Sequence, residues 1–108
     1  MEKIEFIVCA ANHYNDGIER TFNPKNIDTG LVICGHRHHN CIQMFAELRG
    51  FPYSEESLEI MRTEIQGFLT SKNRFVDRKE ALVIALENDQ VLDITTVCGN
   101  KLFSEDLY

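Results

Sequence analysis

Apolar residues alternate with their neighbours at the start of the chain, and this alternation predicts a β-strand from Lys3 to Ala11. The residues on one face of that strand would be Ile4, Phe6, Val8 and Ala10. A second apolar run, Thr29 to Cys34, predicts a strand that pairs with the first in antiparallel fashion. Ile18 to Phe22 is a further strand candidate between the two, so the N-terminal part of the chain is expected to form a sheet.

Helical spacing of apolar residues follows this sheet. Cys41, Ile42, Phe45 and Leu48 predict a helix from about residue 38 to 49. Gly50 stands where a helix usually stops. The next segment, Ser54 to Ile65, fits either an amphipathic helix or a loop with one or two turns.

The second half of the chain predicts a hairpin that leads into a helix. Residues 67–70 and 74–76 read as its two strands, with Ser71-Lys72-Asn73 as the turn. Asp77 then resembles an N-cap that forms a capping box with Glu80, and the helix is expected over residues 78–88. Val91 to Val97 is expected to be a last strand.

These elements predict a single α+β domain over residues 1–108, in which an N-terminal antiparallel β-sheet packs with two to three α-helices. No βαβ unit with a glycine-rich phosphate loop is recognisable in the sequence. A Rossmann or P-loop interpretation is therefore excluded.

Composition narrows the possible partners. The formal net charge is −6, which argues against binding of DNA or RNA, because cationic contacts with phosphates dominate such binding. A local basic pocket for a small anion remains compatible with this charge. The sequence shows no apolar run of membrane-spanning length and no signal peptide, so we expect a cytoplasmic protein with four reduced cysteines and no membrane partner.

The densest chemical cluster is the segment from Cys34 to Cys41, which holds three histidines and two cysteines. These are the usual ligands of zinc, but their spacing matches no C-x-x-C or H-E-x-x-H motif. The cysteines are alternatively small core residues beside surface histidines. A third interpretation is ligand contact by Arg37 and His38, since a guanidinium offers a planar fork for phosphate.

The hairpin and the start of the following helix form the second candidate site. Its candidate ligand-binding residues are Phe68, Thr70, Ser71, Asn73, Arg74 and Arg78. Phe68 or Phe75 could stack on a base, although either is also a plausible core residue. Arg74 could instead form an ion pair with Glu80 or Glu105, and Arg78 could be a solvated charge.

Ser104, Glu105 and Asp106 form a short acidic run near the end of the sequence. Adjacent carboxylates on an extended chain point to opposite faces, so they do not form an acid–base pair. We expect a solvated tail, with a salt bridge from Asp106 to an arginine or a bond to a ribose hydroxyl as alternatives. No catalytic residue and no cofactor are predicted.

Five segments together resemble a known family. They are Cys9-Ala10-Ala11, Gly35-His36-Arg37-His38, Gln66 to Ser71, Arg74 to Ala81 and Leu102 to Tyr108. This pattern resembles the type 1 Thoeris anti-defence proteins of phages, and the resemblance covers most of the chain. It implies an antiparallel sheet with C-terminal helices and a non-enzymatic function.

Such proteins sequester cyclic ADP-ribose isomers, including glycocyclic ADP-ribose, that bacterial TIR-domain proteins make as immune signals. Some members also hold cyclic di- or trinucleotides and assemble from dimers into hexamers. The resemblance thus implies a homo-oligomer in the host cytoplasm that binds a cyclic nucleotide. We expect the pocket to lie between protomers, because a domain of 108 residues has little room for a deep pocket of its own. Two alternatives remain open, namely a metal-dependent nucleotide hydrolase or phosphodiesterase and a protein-binding inhibitor of a host enzyme.

Overall fold

A computed structural model describes residues 4–108, so the predicted strand residue Lys3 lies outside the described part. The strands are β1 (Ile7–Tyr14), β2 (Leu31–Gly35), β3 (Ile65–Thr70) and β4 (Phe75–Asp77). The helices are α1 (His38–Arg49), α2 (Glu55–Met61) and α3 (Arg78–Glu87). Two short 3₁₀ helices, Ile94–Thr96 and Ser104–Asp106, follow. The predicted α+β fold is confirmed, and no helix in residues 4–108 is long and apolar enough to cross a membrane.

The four strands form one antiparallel sheet in the order β2-β1-β3-β4. The predicted pairing of the first two strands is confirmed, with Ala11 opposite Cys34. On its other side β1 pairs with β3, where Ala10 lies opposite Phe68. The central position of β1 means that it carries hydrogen bonds along both of its edges.

The alternation predicted for the first strand is interrupted by a bulge. The register of β1 against β3 shifts between Ile7 and Cys9, so that Val8 has no directly opposed partner. An inserted residue of this kind moves the following side chains to the other face. As a result Ile7 and Ala10 both lie in the core, whereas Val8 is exposed.

Two helices cover the same face of the sheet. Tyr14 of β1 stacks on Phe45 of α1, with ring centroids 3.9 Å apart. Ala10, four residues earlier on β1, packs with Ala81 and Ala85 of α3 instead. Since residues four apart in a regular strand share a face, α1 and α3 lie side by side over one surface.

Local sequence explains where the helices begin. The Ser54 side chain accepts the Ser57 N–H and starts α2, which resolves the ambiguous segment as a helix followed by β3. The Asp77 carboxylate accepts the Glu80 N–H at 2.9 Å, as predicted for the start of α3. The Glu80 side chain is hydrogen-bonded to Arg74 rather than closing a capping box.

Two predicted strands are wrong. Residues 91–97 contain a 3₁₀ turn, because the Asp93 carboxylate accepts both the N–H and the hydroxyl of Thr95. Residues 18–22 form no strand, because the Asp16 carboxylate accepts the Ile18 N–H and also pairs with Arg20 at 2.7 Å. In both segments an aspartate near the start bonds the backbone locally and competes with strand pairing.

The expectation of a solvated tail is also wrong. Ser104 and Asp106 are buried, and Leu102 and Leu107 belong to the core under α3. The Leu102 N–H donates to the Arg78 carbonyl at 2.9 Å, which ties this segment to the start of α3. The sequence interpretation treated the segment as an extended, solvated tail, but its apolar residues anchor it in the core.

Gly67 in β3 offers a direct test of this packing. A Cβ atom there would overlap the Val76 carbonyl oxygen and approach Phe75 Cζ to 2.8 Å. We expect Gly67→Ala to lower the free energy of unfolding by about 2 kcal/mol or more, as overpacked cores do. Urea denaturation measures this loss.

Gly17→Ala is the matched control, because nothing lies within 4 Å of a Cβ at that position, although its φ of +79° is strained for alanine. We expect Gly17→Ala to lower the free energy of unfolding by only about 1 kcal/mol, from backbone strain alone, which is less than the loss in Gly67→Ala. Equal losses in the two variants would contradict the predicted close packing around Gly67.

Candidate functional site

Two helix starts converge on the middle of β3. Arg37 and His38 stand at the start of α1, and Arg78 is the first residue of α3. His38 Nε2 lies 2.7 Å from the Gly67 carbonyl oxygen, and Arg78 Nη2 donates to Gln66 Oε1 at 2.6 Å. Because these acceptors are neighbours in β3, His38 and Arg78 come together, and Arg37 directly precedes His38 in the chain.

The imidazole of His38 lies at the bottom of this site. It is 8% exposed, and its ring meets Phe68 edge-on with centroids 5.0 Å apart. Burial lowers the pKa of His38, the Gly67 contact opposes this shift, and the nearby Arg78 charge adds to it. The ring is therefore neutral near neutral pH and donates from Nε2 to the Gly67 carbonyl.

Arg78 is held by the segment that follows α3. Its Nη1 donates to the Leu102 carbonyl at 2.8 Å, and its guanidinium carbon lies 4.4 Å from the centre of the Phe103 ring. Burial lowers the pKa of Arg78, while Glu105 and Asp106 favour the charged form. A guanidinium stays protonated at any physiological pH, so Arg78 is a fixed positive charge.

Arg37 meets the end of the same segment. Its Nη2 donates to the Tyr108 backbone oxygen at 2.5 Å, and its guanidinium carbon lies 5.1 Å from the Tyr108 ring centre. Tyr108 also stacks on His36 at 4.5 Å and donates its hydroxyl to the His36 carbonyl at 2.6 Å. Arg37 Nη1 is buried and has no hydrogen-bond partner within residues 4–108.

Two aromatic residues of this border were missed by the sequence interpretation. Phe103 and Tyr108 are 37% and 38% exposed, and each lies beside one of the arginines. The motif that ends the chain contained Tyr108 and could have indicated this role. The sequence could not show that the segment folds back between α1 and α3.

The N-terminus of α1 differs from those of the other helices. Ser54 and Asp77 place side-chain oxygens on the first turns of α2 and α3. At the equivalent position of α1 stands Arg37, whose side chain has no acceptor atom. Asn40 Oδ1 accepts the Arg37 N–H at 2.9 Å, and the Asn40 and Cys41 N–H groups donate to the Arg37 carbonyl. The Arg37 side chain itself accepts nothing from the first turn, so this helix start attracts an anion and carries a guanidinium next to it.

A partly buried chain of hydrogen bonds positions Arg78. Tyr14 Oη donates to Glu64 at 2.5 Å, Glu64 accepts Gln66 Nε2 at 3.1 Å, and Gln66 in turn accepts Arg78. Burial and the Glu64 carboxylate raise the pKa of Tyr14. Asn12 donates to both Tyr14 and Glu64, while its own Oδ1 is buried without a partner in the described chain.

The other predicted site residues lie at the tip of the β3–β4 hairpin, where structural bonds occupy them. Arg74 donates to both oxygens of Glu5, at 2.8 and 2.9 Å, and to Glu80 at 2.7 Å. Thr70 donates to Glu5 at 2.7 Å, and Ser71 accepts the Phe6 N–H at 2.9 Å. Two carboxylates thus face Arg74, as the ion-pair alternative with Glu80 anticipated.

Asn73 and Phe68 serve the fold in this structure. Asn73 adopts a left-handed backbone with φ of 58°, and its carbonyl accepts the Lys25 N–H at 2.8 Å. Phe68 is fully buried in the core with α3. Its ring therefore presents no surface on which a base could stack.

The histidines and cysteines of residues 34–41 point to different places. Cys41 and His38 are buried, whereas Cys34 and His36 are exposed. No group of three or more His, Cys, Asp or Glu side chains in residues 4–108 is arranged to hold a metal ion. The cluster in the sequence is thus not a cluster in space.

A separate concave groove of about 460 Å³ lies along α1 and the loop after it. Its lining residues are Ile42, Gln43, Ala46, Glu47, Gly50, Phe51 and Tyr53. This lining contains no cation and one carboxylate, so it suits a phosphate less well than the surface around Arg37 and Arg78.

Comparison with known proteins gives one match. A family model described as "Phage T4 y16D protein" matches residues 6–108. No curated protein and no solved structure matches the chain. The matched range includes both arginines of the cleft and the C-terminal segment that borders it.

The ion pair at the hairpin tip predicts a pH dependence of stability. The Arg74 hydrogen bond lowers the pKa of Glu5 from 4.5 to about 2. The folded state therefore prefers the ionised carboxylate, and the resulting stabilisation is full above pH 4.5 and lost as the pH falls towards 2. Thermal unfolding between pH 2 and pH 6 should show this loss.

Glu5→Gln should flatten the acid limb of that profile, because the amide does not titrate. Glu59→Gln, at an exposed position of α2, serves as the control and should leave the limb unchanged. An acid limb of the same steepness in Glu5→Gln would show that other groups control it.

Proposed function

This chain belongs to the phage T4 y16D protein family, and from that premise we propose that this phage protein binds and sequesters a cyclic nucleotide signal without cleaving it. The proposed ligands are cyclic ADP-ribose isomers such as glycocyclic ADP-ribose, and cyclic di- or trinucleotides share the same chemistry. The observation that carries the proposal is the buried, unpartnered Arg37 Nη1 beside the uncapped start of α1. The Arg37 guanidinium therefore has hydrogen-bonding capacity that the described chain does not use.

Two phosphates require two sources of positive charge. Arg37 and Arg78 provide these at neighbouring helix starts, and the N–H groups of the first turn of α1 add further donors. Guanidinium groups bind phosphate oxygens through paired, charge-assisted hydrogen bonds. The exposed Glu105 is close enough to affect the pKa of both His38 and Arg78, so it opposes an anion and sets a limit on affinity.

The bases of such a ligand need flat apolar surfaces. Phe103 and Tyr108 each present a partly exposed ring next to an arginine. Stacking of a base on an aromatic ring contributes about 1–3 kcal/mol. This combination of arginine and aromatic ring distinguishes a nucleotide from inorganic phosphate.

Sequestration needs affinity and no preference for a transition state. Arginines that hold a diphosphate supply this affinity, and binding alone requires no group that stabilises a transition state preferentially. His38, the titratable ring at the base of the cleft, uses Nε2 on the Gly67 carbonyl. These features favour a binding protein over the hydrolase alternative.

We place the complete pocket between protomers of a homo-oligomer in the host cytoplasm. The cleft is an open surface of a small chain, and a ligand with two phosphates and a base needs more walls than one face supplies. A second copy would exclude water from the arginines and strengthen their bonds to phosphate. A dimer is sufficient to form such a pocket, and a hexamer built from dimers would contain several copies of the pocket.

Removal of either guanidinium should weaken binding. We expect Arg37→Ala and Arg78→Ala each to raise the Kd for a cyclic ADP-ribose isomer at least tenfold, about the loss of one charge-assisted hydrogen bond. Isothermal titration calorimetry measures the Kd, and circular dichroism checks the fold. Arg62→Ala removes an exposed arginine elsewhere and should leave the Kd unchanged.

The same experiment tests whether the ligand survives. After incubation and heat denaturation of the protein, the supernatant should contain intact ligand. A cleaved product would replace the binding hypothesis by the hydrolase alternative. Absence of binding across a nucleotide panel would favour the inhibitor of a host enzyme.

The aromatic rings should matter separately from the charges. Phe103→Leu keeps apolar bulk but removes the flat ring, and we expect a five- to tenfold weaker Kd, about 1 kcal/mol of lost stacking. Tyr108→Phe keeps the ring and should retain most of the affinity. If Phe103→Leu binds as tightly as the unmodified protein, Phe103 lies outside the binding surface.

A further inference from the structure

The two outer edges of the sheet differ in whether other parts of the chain cover their backbone groups. At the β4 edge, Asn26 donates its side-chain amide to the Phe75 carbonyl at 2.7 Å and accepts the Phe75 N–H at 2.8 Å. One side chain therefore occupies both backbone groups that a further strand would use. The Lys25 N–H continues this cover by donating to the Asn73 carbonyl.

The β2 edge has no such cover. Within residues 4–108, the backbone groups of Leu31–Gly35 form hydrogen bonds only with β1. The sequence of β2 is Leu-Val-Ile-Cys-Gly, without a charge or a proline, and its register with β1 is regular over all five residues. Protected edges usually carry lysine, proline or a bulge, and unprotected ones are templates for another strand.

From this asymmetry we infer that β2 pairs with the β2 strand of a second copy of this chain, in antiparallel orientation about a two-fold axis. Such pairing extends one continuous sheet through both copies and satisfies the open N–H and C=O groups of each. Because of the two-fold axis, the same strand forms both halves of the interface. Two-fold symmetric dimers are the commonest assemblies of identical chains. The inference rests on the sheet edge and does not depend on the proposed ligand.

Charge favours this occupant over an unrelated strand. Asp28 precedes β2, and Arg37 follows it. Antiparallel pairing places Asp28 of one copy beside Arg37 of the other, at both ends of the interface. A parallel arrangement would bring like charges together at each end, so the electrostatics select the antiparallel one.

The side chains of β2 leave room for this pairing. Leu31 and Val32 are half-buried and Cys34 is exposed, so the edge is bordered by apolar groups. If the axis passes near Ile33, the Val32 side chain of one copy lies close to Cys34 of the other. Burial of this surface would add a hydrophobic contribution to the backbone hydrogen bonds.

The mass in solution tests the inference. The protein should have twice the 12.5 kDa chain mass in light scattering after size-exclusion chromatography. Val32→Lys should shift it to a single chain mass, because each copy would bring a charged lysine against the apolar edge of the other, next to Cys34. Val83→Lys, at an exposed position of α3, is the matched control and should remain dimeric.

Asp28→Lys provides a second variant that leaves the strand itself unchanged, in case Val32→Lys fails to fold. It should weaken the dimer at least tenfold in analytical ultracentrifugation, while Glu87→Lys, an exposed change of the same charge, should not. Hydrogen exchange should also show that the amides of residues 31–35 gain protection as the protein concentration rises.

Three results would overturn the proposal. They are a single chain mass for the unmodified protein at every concentration, a dimer that persists in both Val32→Lys and Asp28→Lys, and exchange in β2 that does not depend on concentration. Ligand affinity does not enter this readout. Failure here is therefore distinguishable from failure of the proposed nucleotide binding.

Discussion

The contacts of α1 and α3 with two consecutive residues of β3 organise the rest of the molecule. His38 donates to the Gly67 carbonyl, and Arg78 donates to the neighbouring Gln66 side chain. Gly67 is also held close to β4, since a Cβ there would overlap the Val76 carbonyl oxygen and lie 2.8 Å from Phe75 Cζ. The close packing of β3 on β4 and the contacts of β3 with His38 and Arg78 therefore meet at the same two residues.

Local signals in the sequence predicted most of the fold. The start of α3 was predictable because Asp77 caps it through a short-range bond, and the range of α1 followed from apolar spacing and Gly50. The errors occurred where a long-range contact decides the conformation. Val8 reads as one more alternating residue, but the bulge that displaces it exists only in the pairing of β1 with β3.

The candidate site was only half predictable for a related reason. Arginine type and position indicated Arg37, Arg74 and Arg78 equally, since all three follow polar or turn residues. Glu5 distinguishes Arg74 from the other two arginines, because it accepts two hydrogen bonds from Arg74. The two residues are 69 positions apart in the chain, so the sequence alone did not reveal this pairing. Tyr108 shows the converse case, in which a residue read as part of a tail becomes the partner of Arg37.

Overall charge and local charge have different consequences in this protein. The net charge of −6 disfavours long nucleic acids, which bind through many phosphate contacts over a large surface. A small ligand samples only the immediate field of Arg37 and Arg78, where the uncapped first turn of α1 adds to the attraction. Under the proposed function, an acidic net charge with these local cations would select by size, since it would repel extended polyanions and leave a compact anion free to bind.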